Sequence, residues 1–251
     1  MKLPAIILAL TCVVPWSLQA VAAGKVQDPQ VAVVLKALEP MVVGVKASDI
    51  RHVPAAGLYE VTVGQGTAYV TPDGKYLLRG DLIEIDSRRN LTVARHDELR
   101  REMLDRLPAA DAIVFGPKNA AHVVTVFTDV DCAFCRKLHR EIATYADKGI
   151  AIRYFAYPAA GADSESWEKA EAVWCSANRK DALTRAKQGE KIPRSAGCET
   201  APVAKSYIAA GRFGIEGTPL LVLENGAVIS GYKSAAELLA IIEAQAPQAR
   251  P

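Results

Sequence analysis

Two cysteines separated by two residues, Cys132-Ala133-Phe134-Cys135, follow the β-branched run His122-Val-Val-Thr-Val-Phe127 and open a helical pattern. The first turn of a helix has unsatisfied N–H groups and a partial positive charge. A thiolate held there is stabilised, so the Cys132 thiol is expected to ionise more readily than a free cysteine. Cys135, one turn inward, reaches the same sulfur. The pair can then cycle between a dithiol and a small-ring disulfide. Cys132 is the expected nucleophile, and Cys135 the resolving cysteine that releases mixed disulfides. A structural zinc site needs four nitrogen or sulfur ligands, and no second Cys-x-x-Cys exists to supply them. A purely static disulfide has no need of a strand-to-helix junction. Redox exchange is the chemistry expected, with neither metal nor cofactor.

Two further groups belong with this pair. Gly217-Thr218-Pro219 precedes the apolar run Leu220–Leu223. A proline is tolerated at the first residue of a strand, and in a tight turn it can be cis. The expectation is a cis-Pro turn facing the cysteines, with the Thr218 backbone offered to an extended substrate chain; an ordinary trans proline at a strand edge is the alternative. Cys175 and Cys198 lie in a helical stretch and are expected to form a structural disulfide, a second redox pair being the alternative. Closing such a loop is worth about 3 kcal/mol in the chain-entropy description. Asp131 is expected either to cap the helix or to oppose the thiolate by like charge. His139 reads as a surface or packing residue rather than a base, and Trp167 and Trp174 as core of the helical region.

The elements that must position these groups can be read from periodicity. The run 122–127 and Ile150–Phe155 are expected strands flanking a helix over 132–148, a βαβ unit with parallel strands. Residues 160–211 are Ala-rich and helical, broken at Gly189, Pro193 and Gly197. Asn225-Gly226 between short apolar runs is a hairpin signal. Ser234 and Glu237 form a capping box for a last helix, and the tail 246–251 is expected to be disordered.

Upstream the rhythm differs. Val31, Val34, Leu35 and Leu38 share one helical face. Leu58–Val63, Thr67–Thr71, Lys75–Arg79 and Leu82–Ile85 are short β-type runs separated by turn residues. A unit of about 60 residues is marginal alone, and this one has no cysteine to staple it. It is expected to pair with a second copy, packing on its own chain being the alternative. Residues 91–107 read as a charged connector helix touching its neighbours lightly, followed by a loop to Asn119.

The whole chain has 251 residues, half of them hydrophobic, with Lys+Arg 30 against Asp+Glu 28. That near-neutral balance gives no electrostatic claim on nucleic acid. The first 23 residues, with Lys2, an apolar stretch and Ala20-Val21-Ala22-Ala23, read as a cleaved secretory signal. Cys12 leaves with it. The remaining four cysteines then sit in an oxidising compartment.

Taken together, Phe127-Thr-Asp-Val-Asp-Cys-Ala-Phe-Cys135, Lys137-Leu-His139, Arg153-Tyr154, Trp174-Cys175, Cys198, Phe213-Gly-Ile-Glu-Gly-Thr-Pro219 and Asn225-Gly226 resemble the DsbC family of bacterial periplasmic disulfide isomerases, the DsbG proteins being the nearest alternative. Ser48-Asp49-Ile50, Tyr69-Val70-Thr71 and Asp73-Gly74-Lys75 extend the resemblance to the first unit. It implies an α+β homodimer with a cystatin-like dimerisation domain over 24–87, a linker over 88–118, and a thioredoxin-fold domain with a helical insert over 119–251. It implies the same roles for Cys132, Cys135 and Pro219, a Cys175–Cys198 bridge, misfolded secreted proteins as substrates, a DsbD-type membrane reductase as partner, and chaperone activity. The family usually carries Gly-Tyr between its cysteines. Ala133 and Phe134 stand there in this chain, and that dipeptide tunes the redox poise.

Overall fold

The computed structural model describes residues 28–64, 66–195 and 202–245. The leader expected over 1–23, Cys198, Gly197 and the tail 246–251 lie outside them.

Asp28 opens the first helix, α1 (Pro29–Leu38): its carboxylate accepts the Gln30 N–H at 3.0 Å, and Pro29 fits the first turn, where no N–H is needed. Val34 and Leu38 face inward onto an antiparallel sheet of β1 (Ile50–Val53), β2 (Leu58–Val63), β3 (Gly66–Val70) and β4 (Leu77–Arg79), in that spatial order. Ile50 stands opposite Val61, and Tyr59 opposite Val70. These residues form the core of the first unit. Strand β1 escaped the periodicity because its burial is not alternating: Ile50 and Val53 are buried and the two residues between are exposed.

A small hairpin of β5 (Ile83–Glu84) and β6 (Arg89–Asn90) leads into α2 (Leu91–Asp105). The Asn90 side chain caps this helix by accepting the Val93 N–H at 2.9 Å. Buried Glu60 on β2 pairs with Arg51 at 3.1 Å and with Arg95 of α2 at 3.2 Å, tying the helix to the sheet. The connector was expected to touch its neighbours lightly. Instead Leu104 is buried in an apolar cluster with Phe127, Phe155, Phe213 and Leu220.

The second unit follows with β7 (Ile113–Phe115), β8 (His122–Thr128), α3 (Ala133–Arg140), α4 (Ile142–Asp147), β9 (Ile150–Ala156), α5 (Glu165–Trp174), α6 (Arg179–Lys187), α7 (Val203–Arg212), β10 (Leu220–Val222), β11 (Val228–Ser230) and α8 (Ala235–Gln245). Its sheet has the order β11-β10-β8-β9-β7. Strands β8 and β9 are parallel, as the βαβ pattern requires, and the outer pairings are antiparallel. The loop expected up to Asn119 contains β7, three residues too short to show a period, paired with β9. The helix expected over 132–148 is broken at Glu141, whose carboxylate is held by Lys137 at 3.0 Å and by the Tyr232 hydroxyl at 2.5 Å. The capping box at α8 is present: Glu237 accepts the Ser234 N–H at 2.8 Å, and Ser234 accepts the Glu237 N–H at 3.4 Å. The architecture is α+β, with the central strands β8, β9 and β10 buried under helices.

Candidate functional site: a cysteine pair at a helix start

Strand β8 ends at Thr128, and four residues later Cys132 occupies the N-cap position of α3. Its backbone is extended, and its sulfur accepts the Cys135 N–H at 3.4 Å. The cap is therefore the Cys132 sulfur itself and not Asp131, which corrects one of the two roles considered for that carboxylate. Asp131 is instead occupied by Arg136 at 2.8 Å and Lys169 at 3.1 Å, so much of its like charge is neutralised. Arg136 also donates to the Val130 carbonyl at 2.9 Å.

The second wall of the site comes from β10. Leu220 pairs with Phe127 across the sheet, and this register brings the preceding loop up to the start of α3. The Thr218–Pro219 peptide is cis. The Cys132 thiol donates to the Thr218 carbonyl at 3.2 Å. Pro219 is held from behind, its carbonyl accepting the Gly231 N–H at 2.9 Å.

The two cysteines are free thiols in different surroundings. Cys132 is half-buried and Cys135 is 1% exposed. Hydrogen bonds from the Cys135 thiol, the Thr218 side chain and the N–H groups of Cys135 and Phe134 outweigh burial and bring the Cys132 thiol down from 9.0 to about 5. Burial pushes Cys135 up, helped by the neighbouring sulfur. One sulfur is thus anionic at neutral pH and open to a partner, while the other is a protonated thiol in reserve. Phe134, between them, is 60% exposed and forms an apolar lip.

Beneath the pair lie groups that were not singled out from the sequence. Lys187, at the end of α6, is 4% exposed, and its ammonium donates to Thr128 Oγ1 at 2.8 Å and to the Asp129 carbonyl at 3.2 Å. A signal was available: Lys187 follows Ala182, Leu183 and Ala186 on one inward helical face. Asp129 is buried, and its carboxylate accepts the N–H groups of Asp131 at 2.8 Å and Ala159 at 2.7 Å, which fixes the turn leading into Cys132. His139 is a packing residue, as expected, but a buried one. It shares hydrogen bonds with Tyr154 at 3.3 Å and Thr184 at 3.0 Å, and burial takes its imidazole down to about 4. Trp174 is fully buried and Trp167 partly so. Cys175 is disulfide-bonded; Cys198, the partner expected for it, lies outside the described residues. Among the described residues, no helix is long and apolar enough to cross a membrane.

Known proteins share both halves of this arrangement. Residues 109–246 match the family model of a thioredoxin-like domain, and residues 25–93 that of a disulfide bond isomerase protein N-terminal domain. The thiol:disulfide interchange protein DsbC of Dickeya dadantii is 34% identical over 80% of this chain and 82% of its own length. DsbC of Escherichia coli K12 is 33% identical over 78% of this chain and 80% of its own. A solved linker-deletion mutant of ScsC from Proteus mirabilis shares the fold, with a TM-score of 0.50 at 18% identity, covering 63% of this chain and 86% of that one. The pairing of the two family models in one chain, with identity of this extent, places it: the chain belongs to the DsbC family of thiol:disulfide interchange proteins.

Proposed function

We propose that this protein is a periplasmic disulfide isomerase that reshuffles incorrect disulfides in secreted proteins. The observation that carries the reading is the half-buried Cys132 sulfur at the α3 N-cap, facing the Thr218 carbonyl with a buried thiol behind it. The Cys132 thiolate attacks a non-native substrate disulfide. A bond forms between the enzyme sulfur and one substrate sulfur, and the other substrate sulfur leaves as a thiolate. That thiolate attacks elsewhere in the substrate, and a later substrate thiolate displaces Cys132, returning the enzyme unchanged. When the substrate fails to release it, Cys135 loses its proton and attacks Cys132. This frees the substrate as a thiolate and leaves a Cys132–Cys135 disulfide, which a DsbD-type membrane reductase then reduces. Thr218 and Pro219 hold the substrate backbone as an added strand beside the mixed disulfide. Cys175–Cys198 is a structural bridge, and no metal or cofactor takes part.

Domains over 24–87, 88–118 and 119–251 follow a cleaved leader over 1–23 in this reading. A homodimer is supported by β4, an edge strand, and by exposed Tyr76, Leu78, Ile83 and Ile85 beside it. Two such clefts facing one another would hold an unfolded chain, which is the chaperone part of the proposal. A second reading, a thiol oxidase, is favoured by one observation: the Cys132 sulfur accepts the Cys135 N–H at the α3 N-cap, a setting that stabilises the reduced thiolate and makes the disulfide a better oxidant. Refolding of a scrambled multi-disulfide enzyme in a glutathione buffer separates them. Recovery that needs Cys132 and tolerates Cys135→Ala supports isomerisation. Oxidation of a fully reduced substrate without rescue of the scrambled one supports the oxidase. Anti-aggregation activity alone, surviving Cys132→Ala, would leave a redox-independent holdase.

A further inference from the structure

The resolving step in the proposed mechanism needs a proton acceptor. Cys135 sits where burial holds its proton on, yet it must become a thiolate before it can attack the mixed disulfide. Solvent does not reach the sulfur. The groups that act on it are Cys132 at the α3 N-cap, Thr128 at the end of β8, Tyr154 on β9 and Lys187 on α6, and around Lys187 in turn lie Arg136 and His139 of α3 and Asp129. The Asp129 carboxylate is turned away, engaged by the N–H groups of Asp131 and Ala159. His139 is held between Tyr154 and Thr184. Arg136 is fixed on Val130 and Asp131 and does not deprotonate in proteins.

Lys187 remains. Its nitrogen is 2.8 Å from Thr128 Oγ1, and the Thr128 hydroxyl in turn favours the anionic form of Cys135. Thr128 thus stands between the buried Cys135 thiol, which it influences, and the buried Lys187 amine, which it contacts. A lysine enclosed to this extent is expensive to bury unless a partner uses its charge. The acceptors seen are a hydroxyl and a carbonyl, with no carboxylate oxygen among them.

We infer that Lys187 is a positioning residue for the resolving step, drawing the Cys135 proton through the Thr128 hydroxyl. Neutral Lys187 accepts the Thr128 hydroxyl proton as Thr128 takes the proton of Cys135. The Cys135 thiolate then attacks Cys132 Sγ, forming the Cys132–Cys135 bond and breaking the bond from Cys132 to the substrate sulfur, which leaves as a thiolate. The buried pair stays net neutral throughout, thiol with amine before and thiolate with ammonium after. The timing follows from charge. Burial already lowers Lys187 to about 8, and the Cys132 thiolate is one of the charges that hold it up. Once Cys132 is tied in a mixed disulfide that support is gone, and the amine is more readily neutral when it is needed.

This inference rests on Cys135 being the resolving cysteine, and the test separates the two. The reduced protein is mixed with oxidised glutathione in a stopped-flow instrument between pH 5 and 10. The first glutathione released reports attack by Cys132, and the second reports resolution. Wild type, Lys187→Met, Thr128→Val and the double variant are compared, with Cys135→Ala as reference. Lys187→Met and Thr128→Val both preserve approximate side-chain size, and near-ultraviolet circular dichroism checks the fold of each. The expected result at pH 7 is a second step slowed about tenfold or more in either single variant. Its pH midpoint should rise, the double variant should be no slower than the worse single one, and the first step should change less than about threefold. An unchanged second step and pH profile overturns the inference, as do equal losses in both steps or additive losses in the double variant. Should Lys187→Met fail to fold, Thr128→Val alone must still shift the midpoint. If wild type releases no second glutathione, or Cys135→Ala still releases it, the resolving role of Cys135 fails instead.

Discussion

The Cys132 sulfur lies 3.2 Å from the carbonyl oxygen of Thr218, a residue 86 positions further along the chain. Two distant segments meet there because Leu220 pairs with Phe127 in the sheet, and because both the end of β8 and the start of β10 point at the same edge of it. The contact gives the site its shape: a sulfur at a helix start on one side, and an extended backbone on the other. It also sets what can be measured.

Alkylation of Cys132 by iodoacetamide should be nearly pH-independent above pH 6 and fall with a midpoint near 5, where a free cysteine would show a midpoint near 9. Cys135 should remain unmodified across the same range in the folded protein. Mass spectrometry of the labelled peptides assigns each site. A Cys132 midpoint above 8 would mean that the hydrogen bonds around its sulfur do not favour the anion.

The lowered Cys132 thiol also links stability to pH. Its folded value lies below its unfolded one, so the stabilisation of the reduced protein is full above about pH 9 and disappears as the pH falls through about 5. Cys132→Ala should therefore destabilise the reduced protein at pH 8 and have much less effect at pH 4. Paired urea melts at the two pH values test this.

His139 predicts a separate acid sensitivity. Its imidazole is buried and lowered to about 4, so between pH 6.5 and 4 the unfolded chain binds the proton that the folded protein refuses. Stability is lost over that window by up to about 3 kcal/mol, at 1.36 kcal/mol per pKa unit. His139→Gln should flatten this slope even if its stability at pH 7 is lower. An identical slope in the variant would show that other groups govern the acid limb.

Phe134 is exposed, so Phe134→Ser should change thermal stability by no more than about 0.5 kcal/mol. Capture of an unfolded substrate should weaken several-fold, because an apolar lip beside the mixed disulfide is removed. Trapping with Cys135→Ala, followed by quantifying the mixed disulfide, measures that loss.

Gly226 tests the seating of the connector helix. Its φ is +90°, and a Cβ there would lie 1.8 Å from the Asp97 carbonyl oxygen and 2.8 Å from the Arg101 N–H nitrogen of α2. Gly226→Ala should cost about 2 kcal/mol or more from backbone strain and displacement of α2. Hydrogen exchange in α2 should rise, whereas exchange in the buried strands β8 and β9 should stay slow. Unaltered exchange in α2 would show that the helix does not rest on this turn.

Much of the molecule was legible in the residues because its signals are local. A helix start binds an anion whatever surrounds it, so Cys-x-x-Cys after an apolar strand declared its chemistry. Ser234 with Glu237, Asn225-Gly226 and the runs of β2 and β9 likewise reported their own backbone. Strands β1 and β7 did not, since three or four residues carry too little periodicity and owe their state to the neighbours they pair with. The connector read as a lightly packed polar helix because its single buried leucine, Leu104, is defined by Phe127, Phe155 and Phe213, which lie beyond it in sequence. Asp131 read as either a cap or a charge opposing the thiolate because it stands beside the helix start, and only the folded chain showed Arg136 and Lys169 claiming it. The sequence by itself determined the reactive pair, its strand-to-helix setting and the family. Only the tertiary structure decided how deeply Cys135 is buried, that a cis Thr218–Pro219 loop closes on Cys132, and that an amine from α6 is buried against Thr128 at the end of β8. Those depend on distances between segments far apart in the chain, and burial and charge act through distance.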